Sequence, residues 1–174
     1  MKARMKKLIS KKSIPILTLV LLAGVVLITG IAWAKSTKYM VEGSFGYAGD
    51  LSKAKIWTDE EGVTHLRNIP YSAWSTGGLD ITMYGTCNHN RDMATGDGDF
   101  WGDDHEVVVT WEGLTGTFRG RYGGITIGHA GNSNHSYQGI SGDFVGWKLR
   151  FDATWDFIGK TGVFEGVLQN PHGE

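Results

Sequence analysis

The densest group of candidate metal ligands is an acidic, glycine-rich segment that precedes residue 107. Asp97, Asp99, Asp103 and Asp104 all fall within it. Because Ca²⁺ prefers several oxygen ligands on a flexible loop, these carboxylates form a candidate calcium site. Their spacing is not that of an EF-hand, since no glutamate occupies the position of the last ligand. Aspartate–glycine steps are also typical of solvated turns, so a solvated loop without metal is the competing and simpler interpretation.

The sequence contains no recognisable set of catalytic groups, so it leaves open whether the protein is an enzyme. Its 6 histidines are scattered, and its single cysteine excludes an intramolecular disulfide. No zinc site is indicated, because neither paired cysteines nor closely spaced histidines occur. Cys87 and His89 would share one face of a strand, an arrangement that suits a thiol nucleophile and its base. A buried, unreactive cysteine is the simpler interpretation.

Large aromatic side chains recur on one face of the segments that alternate between apolar and polar residues. Such rings either fill a β-sheet core or line a cavity for an apolar ligand where the strands enclose too wide a space. We predict the following as ligand-binding residues: Trp111, Phe118, Trp147, Phe151, Trp155 and Phe164. On the opposite face we expect ion pairs between Arg119, Arg121, Lys148 and Arg150 and the acids Asp152, Asp156 and Glu165.

These residues must be positioned by β-strands, because the chain after residue 34 is too rich in glycine for long helices. The segment from Trp147 to Phe157 alternates strictly, with its apolar residues on one face. Weaker alternation predicts strands at 39–47, 79–84, 106–111, 115–122, 124–128 and 162–168, and the faintest predicts strands at 55–58 and 63–68.

An aromatic residue flanked by glycines recurs in Gly43-Ser-Phe-Gly46, Gly116-Thr-Phe-Arg-Gly120 and Gly162-Val-Phe-Glu-Gly166. Glycine beside a large ring leaves room where strands bend or a barrel closes. We therefore predict an all-β fold, a single antiparallel β-barrel of about eight strands, with a two-sheet β-sandwich as the alternative.

The glycine–aromatic strands, the Trp111-Glu-Gly113 turn and the run from Tyr137 to Gly146 resemble secreted proteins with allene oxide cyclase-like or lipocalin-like barrels. The likeness spans about residues 39–168. It implies a barrel of about eight strands with a mostly apolar interior, a class that includes both ligand carriers and an isomerase. No catalytic signature accompanies it.

The first 34 residues predict export. A basic stretch precedes an uncharged, apolar run from Ile14 to Ala34, which ends in Ala32-Trp33-Ala34. Small residues in this pattern are typical of a signal peptidase site, so cleavage after Ala34 is expected. The run nearly suffices to span a bilayer as a helix, so a retained membrane anchor is the alternative. In both cases residues 35–174 form a domain outside the cytoplasm, secreted or membrane-anchored.

Charge and composition narrow the range of partners. Removing the six basic residues of positions 1–34 leaves 11 Lys and Arg against 18 Asp and Glu, so the domain is acidic. Nucleic acid is therefore not an expected partner. We predict an exported binding module for a small apolar ligand or an envelope partner, with no cofactor other than the candidate calcium. The alternatives are an isomerase or cyclase acting on a lipid-like substrate, and a structural or interaction protein of the cell envelope.

Overall fold

The computed structural model describes residues 35–173. The predicted export helix, whether signal peptide or membrane anchor, and its cleavage site fall in residues 1–34, outside the described residues. Within the described part, no helix is long and apolar enough to cross a membrane.

Antiparallel β-strands make up most of the described chain. They are β1 (Thr37–Gly49), β2 (Lys55–Thr58), β3 (Val63–Ser75), β4 (Asp80–Asp92), β5 (Gly98–Trp111), β6 (Leu114–Ile127), β7 (Ala130–Gly142), β8 (Lys148–Asp156) and β9 (Thr161–Asn170). A short helical turn, Leu51–Lys53, joins β1 to β2. The all-β antiparallel prediction is confirmed, and the structure has nine strands where about eight were predicted.

The strands form one sheet that closes on itself. Its order is β1-β9-β8-β7-β6-β5-β4-β3-β2, and β1 also pairs with β3. The end of β1 pairs with residues 71–75 of β3, while β2 pairs with residues 64–67 of the same strand. Because β4 occupies the other edge of β3, β1 and β2 follow one another along a single edge. We call this closed arrangement the strand ring; it contains one sheet and not the two of a sandwich.

The inward face of the ring carries the apolar core. In β8 the buried residues Leu149, Phe151, Ala153 and Trp155 alternate with exposed ones, as the sequence predicted. Burying each large apolar side chain contributes about 1.5–3 kcal/mol, so this face is the main source of stability. Glycines make room for its rings: a side chain at Gly162 would collide with the ring of Phe45, the residue opposite it on β1.

The strand β7 was not predicted, although it runs through residues 130–142. Its buried positions are mostly small or polar, and include Gly131, Ser133, His135 and Tyr137. Apart from Ile140, its outward positions are polar or small as well, so no apolar period of two is visible in the sequence.

The acidic segment also differs from its prediction as a loop, because most of it belongs to β5. Phe100 and Gly102 face inward at the start of this strand, and His105 and Val107 face inward further on. The change of parity occurs at a β-bulge, where Asp103 and Asp104 are both exposed and Asp104 has a φ of 56°. Period-two alternation cannot continue through such a bulge.

Candidate functional site

A cavity of about 330 Å³ opens at one end of the strand ring, where β1, β4, β6 and β8 end. We call it the mouth cavity. Its walls are predominantly aromatic and apolar, with a few polar side chains among them. The lining residues are Tyr47, Gly49, Leu51, Leu66, Ile69, Tyr71, Cys87, His89, Arg91, Met93, Phe100, Tyr122, Trp155, Phe157 and Lys160.

Three hydrogen-bonding side chains stand together in the cavity wall. The Tyr71 hydroxyl donates to Met83 Sδ, and the Tyr122 hydroxyl and the Cys87 thiol belong to the same lining. Burial raises the pKa of Cys87 to about 11 and the pKa values of both tyrosines well above the ordinary 10.0. All three groups are therefore protonated and uncharged at neutral pH, able to donate or accept hydrogen bonds.

His89 brings an imidazole ring to the same cavity. It follows Cys87 by two residues on β4, so both side chains face inward, as the sequence indicated. The ring stacks on Phe100, with 5.4 Å between ring centroids. Burial first, and Arg91 second, lower the pKa of His89 to about 4, so it is a neutral base at pH 7.

The rim of the cavity carries two cations and two exposed apolar side chains. Arg91 is held in place by two backbone carbonyls, donating from Nε to Gly96 at 3.1 Å and from Nη2 to Gly128 at 2.7 Å. Lys160, in the β8–β9 turn, is exposed. The apolar side chains, Leu51 and Met93, are 55% and 67% exposed. No acidic residue lines the cavity.

A hydrogen-bonded chain supports the wall from within the ring. Trp155 donates from Nε1 to the Ser133 hydroxyl at 2.7 Å, and Ser133 lies 2.8 Å from His135 Nε2. His135 Nδ1 lies 3.0 Å from the Tyr137 hydroxyl. Because indole can only donate, the chain is fully satisfied when Ser133 donates to Nε2 and Nδ1–H donates to Tyr137. This fixes the neutral tautomer of His135.

The environment of His135 keeps its ring uncharged. The imidazole ring of His135 stacks between the rings of Phe151 and Tyr122, at centroid distances of 4.2 Å and 4.9 Å. Burial, with a smaller contribution from His105, lowers the pKa of His135 to about 3. Fixed orientation and neutrality make it a positioning group for Trp155, which forms part of the cavity wall.

His105 lies behind the cavity, between the rings of Tyr71 and Tyr122, with centroid distances of 5.1 Å and 5.0 Å. Its Nε2–H donates to the carbonyl of Thr86 at 2.7 Å, and burial lowers its pKa. Its Nδ1 has no hydrogen-bond partner among the described residues. The ring fits only because Gly102 and Gly85 face it, since a side chain at either position would collide with the imidazole.

Of the aromatic residues predicted to bind a ligand, Trp155 lines the mouth cavity. Phe151 and Phe164 join Trp155 around a separate void of about 20 Å³, too small for an organic ligand. Phe118 is fully buried against Phe144, and Trp111 and Trp147 pack around Tyr39. A ligand-binding role for these residues stays a prediction.

The carboxylates predicted to bind calcium engage different partners. Asp97 accepts a hydrogen bond from the backbone N–H of Gly128 at 2.9 Å, and Asp99 accepts one from Asn90 at 3.1 Å. Asp104 lies 3.3 Å from the Arg119 guanidinium, and Asp103 is exposed. Residues 35–173 contain no group of three or more His, Cys, Asp or Glu side chains that could hold a metal ion.

The ion pairs expected on the outer face are replaced by others. Arg119 pairs with Asp104 and with Glu106 on the neighbouring β5. In the described part of the chain Arg121, Lys148 and Arg150 form no ion pair, and Asp152 instead accepts a hydrogen bond from Asn134. The expectation failed because direct cross-strand neighbours depend on register, and Arg150 faces Ser136 and Val167.

Sequence reasoning did not select Tyr71, Cys87, His89 or Tyr122 as ligand-binding residues. A signal existed for Tyr122, because it follows Phe118 by four residues in a predicted strand and so shares its inward face. For Tyr71 no usable period is visible in the sequence, because a bulge at Asn68 interrupts β3 before it.

Together, the ring and its mouth cavity define an all-β domain with a concave, mostly apolar site at its end. The sequence matches no family model and no curated protein. Among solved structures it is similar to the 1.84 Å crystal structure of a protein of unknown function from the DUF3224 family of Shewanella oneidensis MR-1. The TM-score is 0.60 at 16% identity, over 76% of this chain and 96% of that chain. This likeness shows a shared fold, not a shared function, and lends no support to an allene oxide cyclase-like or lipocalin-like family in particular.

Proposed function

We propose that this domain binds a small, largely apolar molecule in the mouth cavity. The observation that carries the proposal is the cavity itself: about 330 Å³, aromatic and apolar walls, and a few convergent polar groups. Small-molecule sites have this size and character, with apolar contacts giving affinity and polar groups fixing orientation. We further propose that the barrel acts outside the cytoplasm, which is supported by the basic and apolar pattern of residues 1–34.

The walls suit a flat or extended apolar ligand. The ring centroid of Phe100 lies 5.7 Å from that of Phe157 and 5.9 Å from that of Trp155, and both of these rings are nearly perpendicular to Phe100. Aromatic surfaces therefore face the mouth cavity from several directions. Each buried methylene of a ligand would contribute about 0.8 kcal/mol. The uncharged hydroxyl of Tyr122 can donate to one oxygen of the ligand without the cost of burying a charge.

Gly49 offers a direct test. It lines the cavity, and a Cβ added there would have its three nearest atoms, in Ile69, Pro70 and Tyr71, at ordinary contact distances of 3.6–4.0 Å. Gly49→Leu should therefore fill the cavity without disturbing the ring. Gly123→Leu is the matched control, because a side chain at this exposed position meets no atom closer than 4.0 Å.

Fatty acids, retinoids and sterols would be titrated against all three proteins, with tryptophan fluorescence and melting temperature as readouts. We expect at least one class to bind the wild type and Gly123→Leu alike, and to bind Gly49→Leu at least about tenfold more weakly. If no class binds, or if Gly49→Leu binds as the wild type does, the mouth cavity is not a ligand site. An interaction or structural role in the envelope would then be the better explanation.

A second candidate function is an isomerase or cyclase acting on a lipid-like substrate, and His89 is the observation that favours it. A neutral imidazole in a cavity can accept a proton from a substrate carbon, and a nearby tyrosine hydroxyl can donate one. His89→Gln keeps a hydrogen-bonding side chain but removes the base. If the wild type turns over a bound substrate, and His89→Gln binds that substrate equally well but does not turn it over, the protein is an enzyme. If both proteins bind the ligand equally well and neither turns it over, a carrier is supported.

A further inference from the structure

The charged side chains that line the mouth cavity are all cationic. Arg91 and Lys160 line it, and no aspartate or glutamate does. Neither cation forms an ion pair within residues 35–173. The acids of the adjoining turns lie outside this lining: Asp92 accepts a hydrogen bond from Ala94 N–H, and Asp156 accepts two from Ile158 and Gly159. A cationic rim on an otherwise acidic domain is therefore a local property of this opening.

We propose that the mouth cavity takes an amphipathic anion, an apolar molecule with one carboxylate whose headgroup stays at the rim beside Lys160 and Arg91. This inference rests on the proposed function and adds the class and the orientation of the ligand. The apolar body lies against Phe100, Trp155 and Phe157. The headgroup remains in contact with water, because a carboxylate buried among these rings would lose its hydration without full compensation.

The two cations have different tasks. Arg91 is oriented by its carbonyl acceptors, so it presents a fixed positive charge at the edge of the cavity. Lys160 is exposed, and a lysine is a point charge on a flexible stem that can follow the headgroup. Leu51 and Met93 add exposed apolar side chains to the lining, which can cover the part of the tail next to the headgroup.

Laurate, lauryl alcohol and laurylamine test the inference, because they share one tail and differ in headgroup charge. Titrations would be run below their aggregation concentrations at low and at high salt. We expect laurate to bind about tenfold more tightly than the alcohol at low salt, and the amine to bind more weakly than either. High salt should reduce the preference for laurate, since the headgroup contacts are solvent-exposed.

Lys160→Gln assigns the preference to the rim. This variant should bind laurate about three- to fivefold more weakly, as expected for the loss of an exposed ion pair. Its affinity for lauryl alcohol should be unchanged. Lys160→Arg should restore laurate binding, and Lys148→Gln, at an exposed lysine of the outer face, should change nothing. Equal affinities for laurate and the alcohol, or tighter binding of the amine, would overturn the inference while leaving apolar binding intact. Failure of all three ligands to bind would instead count against the proposed function.

Discussion

Acid should destabilise this domain through histidines that are buried in their neutral form, and His135 is the clearest case. Its folded pKa of about 3 lies well below the ordinary 6.5. A base with a lowered folded pKa contributes stability above the unfolded pKa and loses it as pH falls, because the unfolded chain gains the proton first. Loss begins near pH 6.5 and continues towards pH 3. Between pH 7 and pH 5 one such histidine costs about 2 kcal/mol of unfolding free energy.

The assay is urea unfolding at pH 7 and at pH 5, followed by tryptophan fluorescence. His135→Gln removes the titrating group, so its stability should fall by about 2 kcal/mol less than that of the wild type between the two pH values. The variant will also be less stable at pH 7, because Ser133 and Tyr137 lose partners, and so the comparison is between slopes and not absolute values. His129→Gln, at an exposed position, is the control. If wild type and His135→Gln lose stability in parallel, His135 is not buried as a neutral ring.

Three further outcomes follow from the geometry. Ser133→Ala should lower the free energy of unfolding in urea by about 1–3 kcal/mol, because it leaves the buried Trp155 Nε1 and His135 Nε2 without a hydrogen-bond partner. Ser136→Ala, on the outer face, should lower it much less. Glu112→Asn should stabilise the β5–β6 turn by up to about 1 kcal/mol in the same assay, since Glu112 has a φ of 50° that asparagine tolerates better. Millimolar Ca²⁺ should leave the melting temperature unchanged, because the acidic segment does not bring its carboxylates together; a rise that Asp97→Asn abolishes would contradict this.

The sequence predicted the class of fold because strict alternation and dense glycine are local properties. β8 shows this best: its inward and outward residues were assigned correctly from Leu149 to Trp155. Closure of the ring depends on the pairing of β1 with both β9 and β3, which are far apart in the chain. β7 was missed because both of its faces are largely polar or small, and its inward polar groups are satisfied only by partners such as Trp155 on β8.

The mouth cavity could not be predicted from the sequence for a further reason: in two of the strands that build it, the alternation of inward and outward residues is interrupted. Asn68 in β3 and Asp104 in β5 both adopt positive φ, and at each the pairing register shifts. Asparagine and aspartate are the side chains that enter this conformation most readily after glycine. Each bulge turns the next part of its strand over, so residues beyond it face the opposite side from the one that alternation predicts.

The two bulges act on the same region of the interior. The one at Asn68 turns Tyr71 inward, and the one at Asp104 turns His105 inward, so that the two rings meet 5.1 Å apart behind the cavity. Without either bulge, a polar or ring-bearing side chain would leave the interior and an outward residue such as Ser72 would take its place. The residues that look least suited to a regular strand are thus the ones that set the chemistry of the cavity wall. A period-two pattern identifies the apolar core of this ring, whereas the bulges at Asn68 and Asp104 account for the inward positions of Tyr71 and His105.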